Sequence, residues 1–439
     1  MSSTKFQVLD HVIDAQHVRE YPHATRYQDD CILKLHLKQY KPLNNLEAKP
    51  DSITIIAATG NGFPKETYEP LWDDLIDQAN SVSLPIRAIW IADSSHQGAS
   101  GIANEDVQGD DPSYFDHSRD LLHLVNVFRS EMKSPIIGIA HSMGTVQMVH
   151  LSLLHPRLFH SLALIEPVLQ DAVPSGPNPC MFADMRPDLF PNRQVALKIL
   201  RKHPMFKSVD PRALKRYAEV GFRDLPTRLY PDIAKARALL AKAYKGNIPT
   251  GEGPPVTLST TKHQEAWSYA RSNFAPLPVT EIEKQEEFLI SPDQDSSHEG
   301  KYVFVKPEIF QTYLRLPELR PAVLWLYGEM SFINSADIRE NKQNTGSGRG
   351  GSGGIKAGKV EEIIMRNAGH MLALDEPMRT AVTLVKWLQH QHQAWKDEVK
   401  FYKHFDTQRS SDEGLRMSKH FREAAMEPID TLRTTREKL

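Results

Sequence analysis

The sequence predicts an α/β fold: a mainly parallel central sheet flanked by helices, with a large helical cap inserted. Three observations carry this. Short, nearly continuous apolar runs at 53–58, 86–92, 136–140, 162–165, 322–327 and 360–365 suit central strands covered on both faces. Helical patterns at 68–82, 116–132 and 146–155 lie between several of them, the alternation expected of a parallel sheet. The alternation then stops after Pro167 and does not resume until about Leu319.

Taken in order, residues 1–30 read as an N-terminal extension. At 31–40, Leu33, Leu35 and Leu37 alternate with Lys34, His36 and Lys38, a period of two that predicts a half-buried edge strand. Residues 31–170 form the first part of the core. Residues 171–319 read as the cap, with helical stretches at 193–202, 211–220, 230–244 and 261–274 separated by Pro- and Gly-rich joints such as 246–255. Its aromatic residues, Trp267, Tyr269 and Phe274 among them, read first as core. Residues 320–395 return to the core and include a glycine-rich stretch, 341–358, expected to be a mobile loop. The charged tail, 396–439, is helical at its start and disordered at its end by composition.

Composition narrows the function. A chain of 439 residues with 40% hydrophobic and 25% charged residues is globular in type, and a net charge of −2 offers no footprint for nucleic acid. Two cysteines, Cys31 and Cys180, make no disulfide framework and no zinc spacing, which favours a reducing compartment. No apolar run approaches the ~20 residues that span a bilayer, and the first residues lack a secretory pattern, so an intracellular protein without a transmembrane segment is expected. Gly346-x-Gly348-x-x-Gly351 satisfies a dinucleotide-binding string but does not open a helix after a first strand. His390 and His392, or His298 with Glu299, do not have metal-ligand spacing, so neither a metal nor another cofactor is expected.

The chemistry concentrates at Ile136 to Gly144, an apolar strand that stops on Ser142 and passes at once into a helical pattern. A strand, a sharp turn and a helix with serine at the apex form a nucleophile elbow, which needs small residues two before and two after the serine. Here these are Ala140 and Gly144. A catalytic serine needs a histidine base and a carboxylate to orient it, in the chain order serine, acid, histidine. His370, in a loop after the last strand, is the candidate base; His141 is expected to point away into neighbouring structure. For the acid, the phrase Tyr327-Gly328-Glu329-Met330-Ser331 places a serine where aspartate is expected. Glu166, ending the strand after the nucleophile's helix, is the leading candidate, and Glu329 is the alternative. Thr59-Gly60-Asn61-Gly62-Phe63-Pro64 occupies the place of an oxyanion loop, so the backbone N–H groups of Phe63 and Met143 are the expected donors.

Together these motifs resemble the α/β-hydrolase superfamily over residues 30 to 395. Asn61-Gly62-Phe63-Pro64 is similar to its His-Gly-Phe-Pro loop, and the stretch from Asp93 to Ser100 to its D-x-x-G-x-G-x-S loop, with Asp93 structural. Placing the acid at Glu166 resembles the haloalkane-dehalogenase-like branch, although that branch uses an aspartate nucleophile. More narrowly, Ala58-Thr59-Gly60, Gly62-Phe63, Lys65-Glu66, Glu166-Pro167 and the stretch from Gly346 to Gly354 resemble fungal toxin-biosynthesis hydrolases and a related yeast peroxisomal lipase. The resemblance implies a serine hydrolase acting on a small-molecule carboxylic ester or thioester through an acyl-enzyme, without a cofactor, in secondary metabolism or peroxisomal lipid metabolism. It also implies a peroxisomal import receptor as partner. The terminal Glu437-Lys438-Leu439 keeps the Lys-Leu of a peroxisomal tripeptide but has glutamate in place of a small residue; without that address the location is cytoplasmic. Two rival readings stand beside it: an acyltransferase using the same triad, and a non-catalytic ligand-binding protein on the same fold.

Overall fold

The computed structural model describes residues 4–26, 31–170, 179–271, 306–407 and 414–426, with the single positions 289 and 412. Phe274, the His298-Glu299 pair and the terminal tripeptide lie outside the described residues. The chain divides into two compact units, Met1–Gln391 and His392–Leu439. Within the first, eight strands form one sheet in the order β1-β2-β4-β3-β5-β6-β10-β11. They are β1 (Phe6–Asp14), β2 (Lys34–Pro42), β3 (Ile53–Ala58), β4 (Ile86–Ala92), β5 (Ile136–His141), β6 (Ser161–Ile165), β10 (Ala322–Gly328) and β11 (Val360–Met365). β1 and β2 pair antiparallel, as do β2 and β4, and every other pairing is parallel.

The near-continuous apolar runs have a simple cause. Successive side chains of a strand point to opposite faces, and here both faces are covered. In β3, Ile53, Ile55 and Ala57 pack in one core with Leu71, Trp72 and Leu75 of helix α1 (Glu69–Ser81) and with Leu384 and Leu388. Ile56 and Ala58 face the second core, which holds Leu121 and Leu124 of the helix Tyr114–Val127 and Val146 and Val149 of the helix Met143–Leu154.

Three departures from the sequence reading matter. β2 is not the edge strand. Residues 6–14, within the stretch read as an extension, form β1 and pair with β2 over its whole length, from Phe6↔Pro42 to Asp14↔Lys34. The described residues of the segment read as a helical cap also hold a small antiparallel sheet of β7 (Leu189–Phe190), β8 (Phe222–Asp224) and β9 (Val256–Leu258), in the order β7-β9-β8. The glycine-rich stretch is not a loose loop. Gly346, Gly348 and Ser352 donate backbone hydrogen bonds to Leu316, Pro317 and Leu319 at 2.8–2.9 Å. A Cβ on Gly351 would sit 2.4 Å from the Gly346 carbonyl oxygen and 2.5 Å from that of Pro317, so glycine permits the backbones to touch.

The second unit begins within the helix Pro377–Thr407, where His392 and Trp395 stack with ring centroids 6.2 Å apart. It carries exposed Phe401, Tyr402 and Leu415.

Candidate active site

β5 delivers Ser142 to the rim of the sheet. Its backbone has φ 51° and ψ −117°, a strained conformation for a residue with a side chain. Two backbone bonds hold the turn: Ser142 N–H donates to Ile165 O at 2.9 Å, and Gly144 N–H to Thr59 O at 3.1 Å. A Cβ at Gly144 would meet the Ala58 backbone at 2.7 Å, which is why glycine follows the serine by two. Ala140, where a first glycine is usual, is buried and accommodated.

His370 lies in the loop after β11, with Nε2 3.0 Å from Ser142 Oγ and Nδ1 2.9 Å from Glu166 Oε2. A carboxylate only accepts, so Nδ1 carries the proton and Nε2 is left as acceptor for the serine hydroxyl. Glu166 follows the last residue of β6, is fully buried and has φ 54°. Its two oxygens are claimed by three donors. Gly328 N–H binds Oε1; the Ser331 hydroxyl and His370 Nδ1 share Oε2. Ser331, standing where an acid is expected, therefore supports the neighbouring strand's carboxylate. Glu329 is exposed, and its Oε2 accepts the Asn367 N–H at 2.8 Å. The structure brings together Ser142, His370 and Glu166, and leaves Glu329 outside that group.

One residue has a part in the site that the sequence does not announce. His141 is buried and points away from Ser142 Oγ, yet it braces the histidine loop. Its Nε2 lies 2.9 Å from the His370 carbonyl oxygen and its Nδ1 2.8 Å from the Tyr68 hydroxyl. Burial, and then the nearby His370, push its imidazole down to about 3, so it is neutral. Because a carbonyl only accepts, the proton sits on Nε2 and Tyr68 donates to Nδ1. The Tyr68 oxygen in turn accepts Gly60 N–H at 2.8 Å, linking the oxyanion loop to the histidine loop. The only sequence signal was a histidine at the end of a wholly apolar strand.

The loop 59–64 is held from below and above. Lys65 forms a buried cluster with Asp93 at 2.7 Å and Glu66 at 3.0 Å, so Asp93 has an anchoring place. Gly62 N–H donates to Gln97 Oε1 at 3.0 Å, and Asn61 Nδ2 to the Glu265 carbonyl at 2.9 Å. Phe63 N–H makes a long 3.5 Å contact with Gly60 O, and Met143 opens its helix, where N–H groups have no intrahelical acceptor. Residues from the segment 179–271 pack against this loop. Glu265, paired with Arg186, lies against Gly62, and Phe206 packs on Phe63 with ring centroids 5.7 Å apart. Phe332, largely exposed, lies 4.7 Å from the His370 ring. Trp267 and Tyr269 are half-buried.

Buried histidines set a pH response. Burial pushes His117 to about 4, and His141 and His150 to about 3. Unfolded, each titrates near 6.5. Between these values the unfolded chain binds protons that the folded chain refuses, so their contribution is full above pH ~6.5 and is lost as pH falls. Asp116 and Asp375, raised by burial to about 6, act in the opposite sense between pH ~6 and ~4. The histidines outnumber them. The urea midpoint should be lower at pH 5 than at pH 7, and a higher midpoint at pH 5 would contradict this balance.

Among the described residues, no group of three or more His, Cys, Asp or Glu side chains is placed to hold a metal ion. No helix among them is long and apolar enough to cross a membrane.

Comparison with known proteins places this geometry in context. The family described as serine aminopeptidase, S33, matches residues 87–229. A type I acyl-CoA thioesterase of Penicillium brevicompactum is 39% identical over 411 residues, covering 92% of each chain. An abhydrolase domain-containing protein of Alternaria alternata is 25% identical over 271 residues, 59% of this chain and 84% of its own. The peroxisomal α/β-hydrolase Lpx1 of Saccharomyces cerevisiae superposes with a TM-score of 0.63 at 16% identity, over 92% of this chain and 98% of that one. In sequence, the yeast protein, also described as a peroxisomal membrane protein, matches at 28% over 120 residues, 27% of this chain and 31% of its own.

Proposed function

This chain belongs to the α/β-hydrolase family and is an ester or thioester hydrolase, and we propose that it cleaves acyl-coenzyme A thioesters through a serine acyl-enzyme. The observation that carries the mechanism is His370, held between Ser142 at 3.0 Å and Glu166 at 2.9 Å. Ser142 Oγ attacks the thioester carbonyl as His370 Nε2 takes its proton, and Glu166 stabilises the imidazolium. The N–H groups of Met143 and Phe63 receive the oxyanion, each such donor contributing ~3–4 kcal/mol. Collapse breaks the C–S bond, and the thiolate leaves with the proton from His370. Water then attacks the acyl-serine, with His370 again as base, and releases the acid.

The thioester assignment is supported by the extent of the likeness to the Penicillium thioesterase, over 92% of both chains. A peroxisomal setting is supported by the yeast relative, and an import receptor as partner is part of the same proposal. The division into core segments 31–170 and 320–395, with the cap at 171–319, belongs to the same proposal. The test is thiol release from a panel of acyl-CoA esters, followed with a thiol-reactive dye. Saturable release with a rapid first turnover is expected. Ester hydrolysis with no thioester turnover would remove the coenzyme A assignment.

A further inference from the structure

The charge of this chain is nearly balanced, yet positions 193–216 carry eight cationic side chains and one acidic one. Some of these cations are spoken for: Arg193 pairs with Asp224, Arg212 with Asp74 and Asp210, and Arg216 with Glu69 and Glu219. Lys198, Arg201, Lys202 and Lys207 are exposed and have no ion-pair partner among the described residues. They follow one another along the end of the cap helix Arg193–Leu200 and the turn after it.

This segment is stitched to both loops that flank Ser142. Phe206 packs on Phe63 of the oxyanion loop, at 5.7 Å, and on Tyr217, at 5.0 Å. Beyond it, Asp210 N–H donates to Leu374 O and Ser208 Oγ to Asp375, both at 2.9 Å, in the segment that follows His370. Lys207 is the next residue after Phe206, and Lys202 lies within at most ~14 Å of extended chain from it. His203, between them in sequence, accepts the Met205 N–H on Nδ1 at 3.3 Å, and burial, then the charge of Arg186, lowers its imidazole. The cap edge thus runs from an aromatic inner wall at the oxyanion loop to an unpaired cationic rim in solvent.

We propose that Lys198, Arg201, Lys202 and Lys207 receive the 3′-phosphate and diphosphate of a coenzyme A thioester, while its pantetheine arm passes Phe206 toward Ser142. The inference rests on the thioesterase reading. It adds what that reading lacks, a reason to prefer a nucleotide-bearing thioester over a simple one. A polyanionic handle complements a rim of one sign, and such exposed contacts weaken with salt because charges are screened over ~10 Å at 0.1 M.

The test compares the wild type with the quadruple variant Lys198→Gln, Arg201→Gln, Lys202→Gln, Lys207→Gln. Calorimetry with free coenzyme A needs no turnover. Binding should weaken about ten-fold in the variant and with added salt in the wild type. In parallel, kcat/KM is measured for one acyl group on coenzyme A and on N-acetylcysteamine, which lacks the phosphates. The ratio of the two should fall about ten-fold, chiefly through KM on the coenzyme A ester. Unchanged coenzyme A binding, or equal losses on both thioesters, would overturn the proposal. So would an unchanged ratio accompanied by lost binding to phosphatidylserine vesicles, which would make the rim a membrane-facing surface. A wild type that binds coenzyme A through these residues yet hydrolyses no thioester would instead overturn the thioesterase reading and leave the rim as a nucleotide site.

Discussion

Ser142→Ala should lower turnover by ~10⁵–10⁶-fold, the scale seen when the nucleophile of a serine triad is removed. A fluorophosphonate probe should label the wild type at Ser142 and leave the variant unlabelled. The serine hydroxyl is presented at the apex of a strained turn, φ 51°, with the only neutral nitrogen of His370 that can accept a proton 3.0 Å away. Alanine removes the hydroxyl without adding volume at a position where the backbone is already fixed by bonds to Ile165 and from Gly144 to Thr59. The variant should therefore fold and bind substrate. Labelling of Ser142→Ala at another serine, with activity retained, would move the nucleophile elsewhere and dismantle the mechanism. Failure of the well-folded wild type to label would favour the non-catalytic reading of the fold.

How far the sequence could be read depended on whether a residue's role is local. The strands 53–58 and 86–92 have the bounds expected of them, because a strand buried on both faces must be apolar nearly throughout; 360–365 also has its expected bounds, although it lies at the other edge of the sheet and exposes Glu361 and Glu362. β1 was invisible for the opposite reason. As an edge strand it is half-exposed, and Asp10, His11 and Asp14 dilute its alternation. The cap's strands are only two or three residues long, too short for any period to register. The glycine-rich stretch reads as loose by composition, but its glycines serve close backbone packing, which depends on partners distant in sequence.

The same division runs through the site. Ser142 announces itself because its turn is built from adjacent residues. The roles of His141 and Ser331 do not, since each depends on a partner more than 70 residues away: Tyr68 and the His370 carbonyl for one, Glu166 for the other. An acid missing from its usual place could be noticed in the sequence. That the serine left there would bond the substitute acid could not, because nothing local encodes the approach of two strand ends.

That approach sets up the second large effect. Glu166→Gln should cost ~10³–10⁴ in kcat, on the scale of losing a triad acid. The amide can no longer supply charge to an imidazolium, and it can present its N–H₂ to His370 Nδ1, favouring the tautomer that cannot take the serine's proton. Glu329→Gln should change kcat only slightly, because Glu329 is exposed and binds the Asn367 backbone. The reverse ranking would assign the acid to Glu329. Ser331 sharpens the test. Its hydroxyl reaches the same Glu166 oxygen that faces His370, so a carboxylate at 331 is already near the imidazole. In Glu166→Gln with Ser331→Asp, the charge returns from β10's side, and kcat should recover by at least ten-fold over Glu166→Gln alone, a gain of ~1.4 kcal/mol in the barrier. In an otherwise wild-type chain, Ser331→Asp should instead be harmful, since two carboxylates would crowd one buried point and raise each other's pKa. Opposite signs of one substitution in two backgrounds would establish that the site needs a single negative charge behind His370. Loss in both backgrounds would mean that Glu166 serves by its shape as well as its charge.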